Sequence, residues 1–130
     1  MQNLIREFFK QKHFAVVGSF RNESKVAYRI LKILRSRGYE VFPVNPRLKE
    51  VEGLTCYPHI KDIPKTVDVV DIVTPPVITE TIVKECKEKS ITRVWLQPGA
   101  ESEEVIKFCN DNRIKAVFNH CIMVEVDKII

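Results

Sequence analysis

The fold of this chain is decided by the stretch Phe14-Ala15-Val16-Val17-Gly18-Ser19-Phe20-Arg21-Asn22-Glu23-Ser24. Residues 14–17 are apolar and rich in valine, which predicts a short buried strand. Gly18 ends that strand, residues 19–23 form a polar loop, and Ser24 is the expected N-cap of the amphipathic helix that follows. A strand that passes through a glycine turn into a helix directs unpaired N–H groups and the positive end of the helix dipole at one point. The stretch therefore predicts a phosphate-binding site.

Strands and helices alternate along the rest of the chain. Apolar runs rich in Val and Ile predict five strands, at residues 14–17, 39–44, 67–73, 93–96 and 115–118. Amphipathic runs predict a short leading helix within residues 1–13 and longer helices at 24–37, 77–89 and 101–112. We therefore predict an α/β fold in a single domain that fills residues 1–130. It contains a doubly wound, five-stranded parallel sheet, Rossmann-like, with strand order 3-2-1-4-5.

Composition narrows the class of protein. The chain has 130 residues, of which 45% are hydrophobic and 29% charged, and its net charge is +4. No apolar run is long enough to cross a bilayer, and the four cysteines are too far apart in sequence to suggest a metal motif, so we expect a reduced, cytoplasmic protein without a membrane anchor. The positive charges are scattered and lack interleaved aromatic residues, which argues against nucleic acid binding. The histidines form no ligand cluster, so we expect no metal site.

The candidate binding residues lie in loops that follow the predicted strands. In a doubly wound sheet, ligands bind beyond the carboxyl ends of the strands, so these loops meet at one edge. The predicted set is Gly18, Ser19, Phe20, Arg21, Ser24, Lys25, Asn45, Pro46, Arg47, Lys49, Thr74, Pro75, Pro76, Gln97, Gly99 and Cys121.

The residues after the second predicted strand indicate which phosphorylated ligand this edge binds. An NAD site would need a G-x-G-x-x-G loop and an acid after that strand, whereas this chain has a single glycine in the first loop and Asn45-Pro46-Arg47 after the strand. Arg47 and Lys49 would attract a phosphate on the adenosine ribose, as in NADP or coenzyme A. The single glycine in the first loop disfavours NADP, because a pyrophosphate cannot approach that turn closely. The residues therefore favour coenzyme A.

A resemblance adds to this interpretation. Its motifs are Val17-Gly18-Ser19, Val44-Asn45-Pro46, Gly53-Leu54-x-Cys56-Tyr57-Pro58, Val69-Val70-Asp71-Ile72, Pro75, Val94-Trp95-Leu96-Gln97-x-Gly99 and Cys121-Ile122-x-Val124-Glu125. In this ordered set the chain resembles the small stand-alone CoA-binding domain proteins and, more distantly, the CoA-binding domain of succinyl-CoA synthetase α-subunits. The resemblance implies a Rossmann-like fold that binds coenzyme A or acyl-CoA. In it, Gly18, Ser19 and Arg21 face the phosphates, residues 45–47 the ribose phosphate, and residues 74–76 the adenine and the start of the pantetheine.

Catalysis is not predicted. His120 and Cys121 are adjacent on an extended segment and point to opposite sides, so they are poorly placed as base and nucleophile. Cys121 is either a core thiol or a group that approaches the CoA sulfur. We expect a carrier, a sensor or a subunit of a larger enzyme, with a homo-oligomer left open. The alternatives are an NADP-linked reductase and a Cys121-dependent acyl or thiol transfer enzyme.

Two further polar or aromatic residues fall within predicted strands. Asp71 lies in a buried strand and needs a partner there, for which we expect nearby backbone or His120. Trp95 is expected in the core rather than at a ligand.

Overall fold

A computed structural model describes residues 1–129 of the chain. The helices are α1 (Gln2–Phe9), α2 (Val26–Ser36), α3 (Pro76–Glu88), α4 (Glu103–Asp111) and α5 (Ile122–Asp127). The strands are β1 (His13–Val17), β2 (Glu40–Val44), β3 (Glu50–Val51), β4 (Leu54–Thr55), β5 (Val69–Ile72), β6 (Arg93–Leu96) and β7 (Lys115–Val117), and a 3₁₀ turn covers Ile60–Asp62. The predicted α/β class and single domain are confirmed in this range.

The large sheet is parallel and five-stranded, as predicted, but its strand order differs from the prediction. The order is β2-β1-β5-β6-β7, which is 2-1-3-4-5 when only the strands of this sheet are counted. The predicted order, 3-2-1-4-5, is wrong because β5 pairs with β1 rather than with the outer edge of β2. That outer edge is already occupied: Tyr57 bonds to both Pro43 and Asn45, and Pro43 has no N–H to offer a further strand.

Helices cover both faces of this sheet. On one face α1, α2 and α5 enclose a core that includes Phe8, Phe14 and Trp95. On the other face α3, α4 and the 3₁₀ turn enclose a second core around Val70 and Val94. Trp95 is fully buried, as predicted, and its Nε1 donates a hydrogen bond to the carbonyl oxygen of His120 at 2.8 Å.

Two elements were not predicted from the sequence. The first is the hairpin β3–β4, whose turn residues Glu52 and Gly53 both have positive φ, 51° and 75°, as a tight two-residue hairpin turn requires. Arg35 on α2 donates to the Glu52 carbonyl oxygen at 3.0 Å and holds this hairpin against the domain. The second is α5. Arg37 donates to the carbonyl oxygen of Val126 at 3.0 Å and attaches α5 to the end of α2.

Candidate functional site

The candidate site lies where β1, β2, β5 and β6 end. The chain leaves β1 toward α2 on one face of the sheet and leaves β5 toward α3 on the other face. Adjacent strands whose connections diverge in this way leave a crevice between their loops, which is where doubly wound folds bind ligands. The corrected strand order places this switch point between β1 and β5, at Gly18 and Val73.

Gly18 closes the floor of the crevice. A Cβ atom at this position would lie 2.7 Å from the Cβ of Ala27 and 3.0 Å from the carbonyl oxygen of Val73. Real Cβ atoms do not approach other atoms so closely, so the contact between β1, the start of α2 and the end of β5 requires glycine. This close packing brings the first and third loops together.

The first loop presents two of its predicted residues to solvent. Ser19 and Arg21 are exposed, whereas the ring of Phe20 is buried in the core beside α2, which leaves only its backbone for a ligand. The prediction that Ser24 caps α2 is wrong. Ser24 donates its hydroxyl and its N–H to the side chain of Asn22, and the helix begins after Lys25.

The start of α2 has the features of an anion site. It has no side-chain cap and no acidic residue in its first turn. Its first N–H groups have no partner within the helix, and the helix dipole adds positive potential there.

The second loop is held to the first by Asn45. Its Nδ2 donates to the carbonyl oxygen of Gly18 at 2.8 Å, and its Oδ1 accepts from the N–H of Arg47 at the same distance. Pro46, Arg47 and Lys49 are exposed. The side chains of Arg47 and Lys49 make no hydrogen bond or ion pair within the described residues, so both cations are available to a ligand.

The third loop is ordered by two threonine hydroxyls. Thr74 and the buried Thr79 share a hydrogen bond of 2.8 Å between their Oγ1 atoms. Pro75 is the N-cap of α3 and Pro76 is its first residue. No acid lies in the first turn of α3, so the positive end of its dipole is not neutralised by a side chain. Pro76 has no N–H, and the N–H groups of Ile78 and Thr79 bond to the carbonyl oxygen of Pro75.

The fourth loop and the end of β7 contain the last predicted residues. The Gln97 side chain is buried: its Oε1 accepts from the N–H of Ile122 at 2.9 Å, and its Nε2 lies 3.4 Å from the Cys121 sulfur. Gln97 therefore positions the start of α5. Gly99 is exposed, and its N–H is bonded to the Glu101 carboxylate at 3.0 Å. Cys121 is half-buried and has no disulfide partner.

Three adjoining cavities join these loops into one groove, which we call the strand-end groove. The first, of about 470 Å³, includes Ser19, Arg21, Asn45 and Arg47 in its lining. The second, of about 300 Å³, shares Ser19 and Arg47 with the first and extends to Thr74. The third, of about 400 Å³, shares Thr74 with the second and extends to Gly99 and Ala100. The strand-end groove therefore spans four loops and suits an elongated ligand.

Several residues of the strand-end groove were missed by the sequence reasoning. They are Val17, Val44, Leu48, Val73, Ile78, Pro98 and Ala100. The helical spacing predicts Ile78 in the buried stripe of α3 together with Ile82 and Val83, but this prediction is wrong, because the Ile78 side chain is 49% exposed.

Among residues 1–129, neither carboxylate oxygen of Asp71 has a hydrogen-bond partner, so the predicted bond to backbone or His120 is wrong. Side-chain alternation along β5 places Asp71 on the α2 face, between Val16 and Trp95 of the neighbouring strands. Complete burial raises the pKa of Asp71 well above its usual range. His120 lies instead near Glu125, with 3.5 Å between its Nδ1 and the Glu125 Oε2.

The described residues offer little support for other kinds of site. Among residues 1–129, no three or more His, Cys, Asp or Glu side chains are grouped so that they could hold a metal ion. Over the same range, no helix combines the length and the apolar character that a membrane span needs. A cavity of about 200 Å³ between α2 and the β3–β4 turn, and one of about 280 Å³ between α3 and α4, lie on the helical faces, away from the strand ends.

Comparison with known proteins gives a family and several relatives. A sequence model described as "CoA binding domain" matches residues 12–127. The α subunit of ADP-forming acetate–CoA ligase II from Pyrococcus furiosus is 36% identical over 126 residues, which cover 88% of this chain and 28% of that subunit. The chain spans 13% to 28% of the length of the acetate–CoA ligases that it matches.

Two solved structures resemble the fold along nearly their whole length. A conserved hypothetical protein from Pyrococcus furiosus is 43% identical, with a TM-score of 0.84, and the match covers 88% of this chain and 99% of that one. A hypothetical protein from Pyrococcus horikoshii OT3 is 33% identical, with a TM-score of 0.94, and the match covers 99% and 92% of the two chains.

Proposed function

The chain belongs to the family of CoA-binding domains, and from that premise we propose that it binds coenzyme A or an acyl-CoA in the strand-end groove without catalysing a reaction itself. The observation that carries the proposal is the position of Arg47, at one end of a groove that runs across four loops. Arg47 is exposed, and its side chain is unpaired within the described part of the chain.

The diphosphate of coenzyme A fits the centre of the strand-end groove. Gly18 and Ser19 lie beside the starts of α2 and α3, where two helix dipoles favour negative charge and α2 adds N–H groups without a partner in the helix. The exposed guanidinium of Arg21 lines the same region. These groups would bind the diphosphate of any nucleotide, so they do not by themselves select coenzyme A.

The ribose phosphate distinguishes coenzyme A from most other nucleotides. Arg47 and Lys49 follow β2, where dinucleotide enzymes for NAD carry an acid that binds the ribose hydroxyls. A guanidinium can bind a phosphate through two parallel hydrogen bonds. We therefore assign Arg47, with support from Lys49, to the 3′-phosphate.

A binding role without catalysis is supported by the surroundings of Cys121 and His120. The Cys121 sulfur is engaged by Gln97, and the nearest carboxylate to His120 is that of Glu125, itself paired with Lys128 at 3.2 Å. Among the described residues, the hydrogen bond to the Cys121 sulfur comes from Gln97, and His120 is paired with Glu125 instead. A carrier, a sensor or the nucleotide-binding part of a larger enzyme complex fits this arrangement.

Isothermal titration calorimetry with coenzyme A, 3′-dephospho-coenzyme A and NADPH tests the proposal. Coenzyme A should bind more tightly than the other two. Arg47→Ala should weaken the binding of coenzyme A by about 1.5–3 kcal/mol, roughly 10- to 150-fold, and leave dephospho-coenzyme A nearly unchanged.

The matched control is Lys10→Ala, which removes an exposed cation. Lys10 precedes β1, at the amino ends of the strands and away from the strand-end groove. It should leave all three affinities unchanged. Absence of binding by coenzyme A at millimolar concentration, or tighter binding of NADPH, would overturn the assignment.

A further inference from the structure

The two ends of the strand-end groove differ in charge. At the β2 end, Arg21 and Arg47 contribute two cations to the lining. At the β6 end, the lining is built from residues such as Pro76, Pro98 and Ala100 and includes no charged side chain. A ligand with phosphates at one end and an uncharged arm at the other therefore has one favoured direction in the groove.

A carboxylate stands beside the uncharged end. The Oε1 atom of Glu101 lies 3.0 Å from the backbone nitrogen of Gly99, which lines that end. Glu101 thus occupies the N–H donor that an incoming anion would otherwise use. Glu103 and Glu104 follow in the first turn of α4 but do not line this end of the groove, and Glu104 lines the separate cavity between α3 and α4.

We infer that the strand-end groove binds acyl-CoA with the thioester at the β6 end, and that Glu101 there selects uncharged acyl groups over acyl groups that carry a carboxylate. The inference rests on the proposed function and adds the class of acyl group to it. Its physical basis is repulsion between like charges, which is substantial near a protein surface and falls as salt shortens the screening length.

The test compares two acyl-CoA probes of similar size that differ in charge, butyryl-CoA and malonyl-CoA, together with free coenzyme A. Isothermal titration of the unmodified protein at low salt should give a malonyl-CoA affinity roughly three- to tenfold weaker than that of butyryl-CoA. In Glu101→Gln the ratio should approach one, while the affinity for free coenzyme A stays the same. The glutamine keeps an oxygen that can accept the Gly99 N–H bond, so the loop is preserved.

Glu88→Gln is the matched control, because it removes an exposed carboxylate at the far end of α3, away from the strand-end groove. It should leave the ratio of the two affinities as it is in the unmodified protein. Raising the salt to about 1 M should bring that ratio toward one, since the screening length falls to about 3 Å.

The outcomes separate this inference from the proposed function. If coenzyme A binds and malonyl-CoA binds as tightly as butyryl-CoA, the proposed function stands and the role of Glu101 is overturned. The role of Glu101 is also overturned if the preference persists in Glu101→Gln. If none of the three CoA compounds binds, both the proposed function and this inference fail.

Discussion

The carboxyl group of Asp71 should make the stability of this protein fall as the pH rises. Asp71 is fully buried, neither oxygen has a hydrogen-bond partner, and burial raises the pKa of its carboxyl in the folded state. In the unfolded chain the same carboxyl ionises near pH 3.9. Between that pH and the folded-state pKa the folded protein binds one more proton than the unfolded chain, so stability is highest at low pH and declines as the pH increases.

The magnitude follows from this one proton. A single group held protonated in the folded state and ionised in the unfolded state changes the free energy of unfolding by about 1.36 kcal/mol per pH unit, or about 2.7 kcal/mol over two units within that interval. Asp71→Asn keeps the shape of the side chain but cannot ionise. The stability of Asp71→Asn relative to the unmodified protein should therefore increase with pH at that slope.

Urea unfolding at a series of pH values from about 5 upward measures the difference, with the fluorescence of the single tryptophan, the buried Trp95, as the signal. Asp71→Val should show the same slope and, because it also removes an unpaired polar group from the core, greater stability throughout. The control is Asp62→Asn, in which the replaced aspartate is exposed. The free energies of unfolding of this variant and of the unmodified protein should differ by the same amount at every pH. A difference between Asp71→Asn and the unmodified protein that is constant with pH would refute the reasoning.

Three further predictions follow from packing and exposure. Gly18→Ala should lower the free energy of unfolding by about 1–3 kcal/mol, because its new methyl group would press against Ala27; chemical denaturation measures this, and unchanged stability would contradict the proposed contact. Arg37→Ala should loosen the contact between α5 and α2, because it removes the hydrogen bonds from Arg37 to α5, and should lower the free energy of unfolding by about 1 kcal/mol. Amide hydrogen exchange in α5 should become faster, and unchanged exchange would count against the attachment. Cys121 should react with a thiol reagent at least roughly tenfold faster than the three buried cysteines, since those need local opening; equal rates for all four would show otherwise.

The local sequence pattern was sufficient to predict most of the helices and strands, and the end of the sheet at which the candidate site lies. The strand at 93–96 has the predicted bounds, and the other four strands of the sheet lie within one or two residues of theirs. These segments are mostly apolar, and each is followed within three residues by Gly, Pro or Asn, so their extent depends on neighbours along the chain. The position of loops at the carboxyl ends of strands follows from the parallel arrangement alone.

Strand order and side-chain direction depend on contacts between distant residues, which periodicity does not encode. The position of β5 depends on Tyr57, which bonds along the outer edge of β2 and leaves only the edge of β1 open. Ser24 does not cap α2 as expected, because its hydroxyl group bonds to the Asn22 side chain instead. Phe20 and Gln97 lie in the correct loops, yet their side chains turn inward, because β-strand alternation does not extend into an irregular loop.

The position of β1 inside the sheet, between β2 and β5, has a consequence during synthesis on the ribosome. The strand partner on one side, β2, follows soon after, but the partner on the other side, β5, ends only at Ile72. Until that residue emerges, the apolar segment Phe14–Val17 of the nascent chain has unpaired backbone N–H and C=O groups along one edge. Such an exposed strand edge can pair with other chains. A fragment that stops before β5 is therefore expected to aggregate, and molecular chaperones that shield exposed strands would act in this interval.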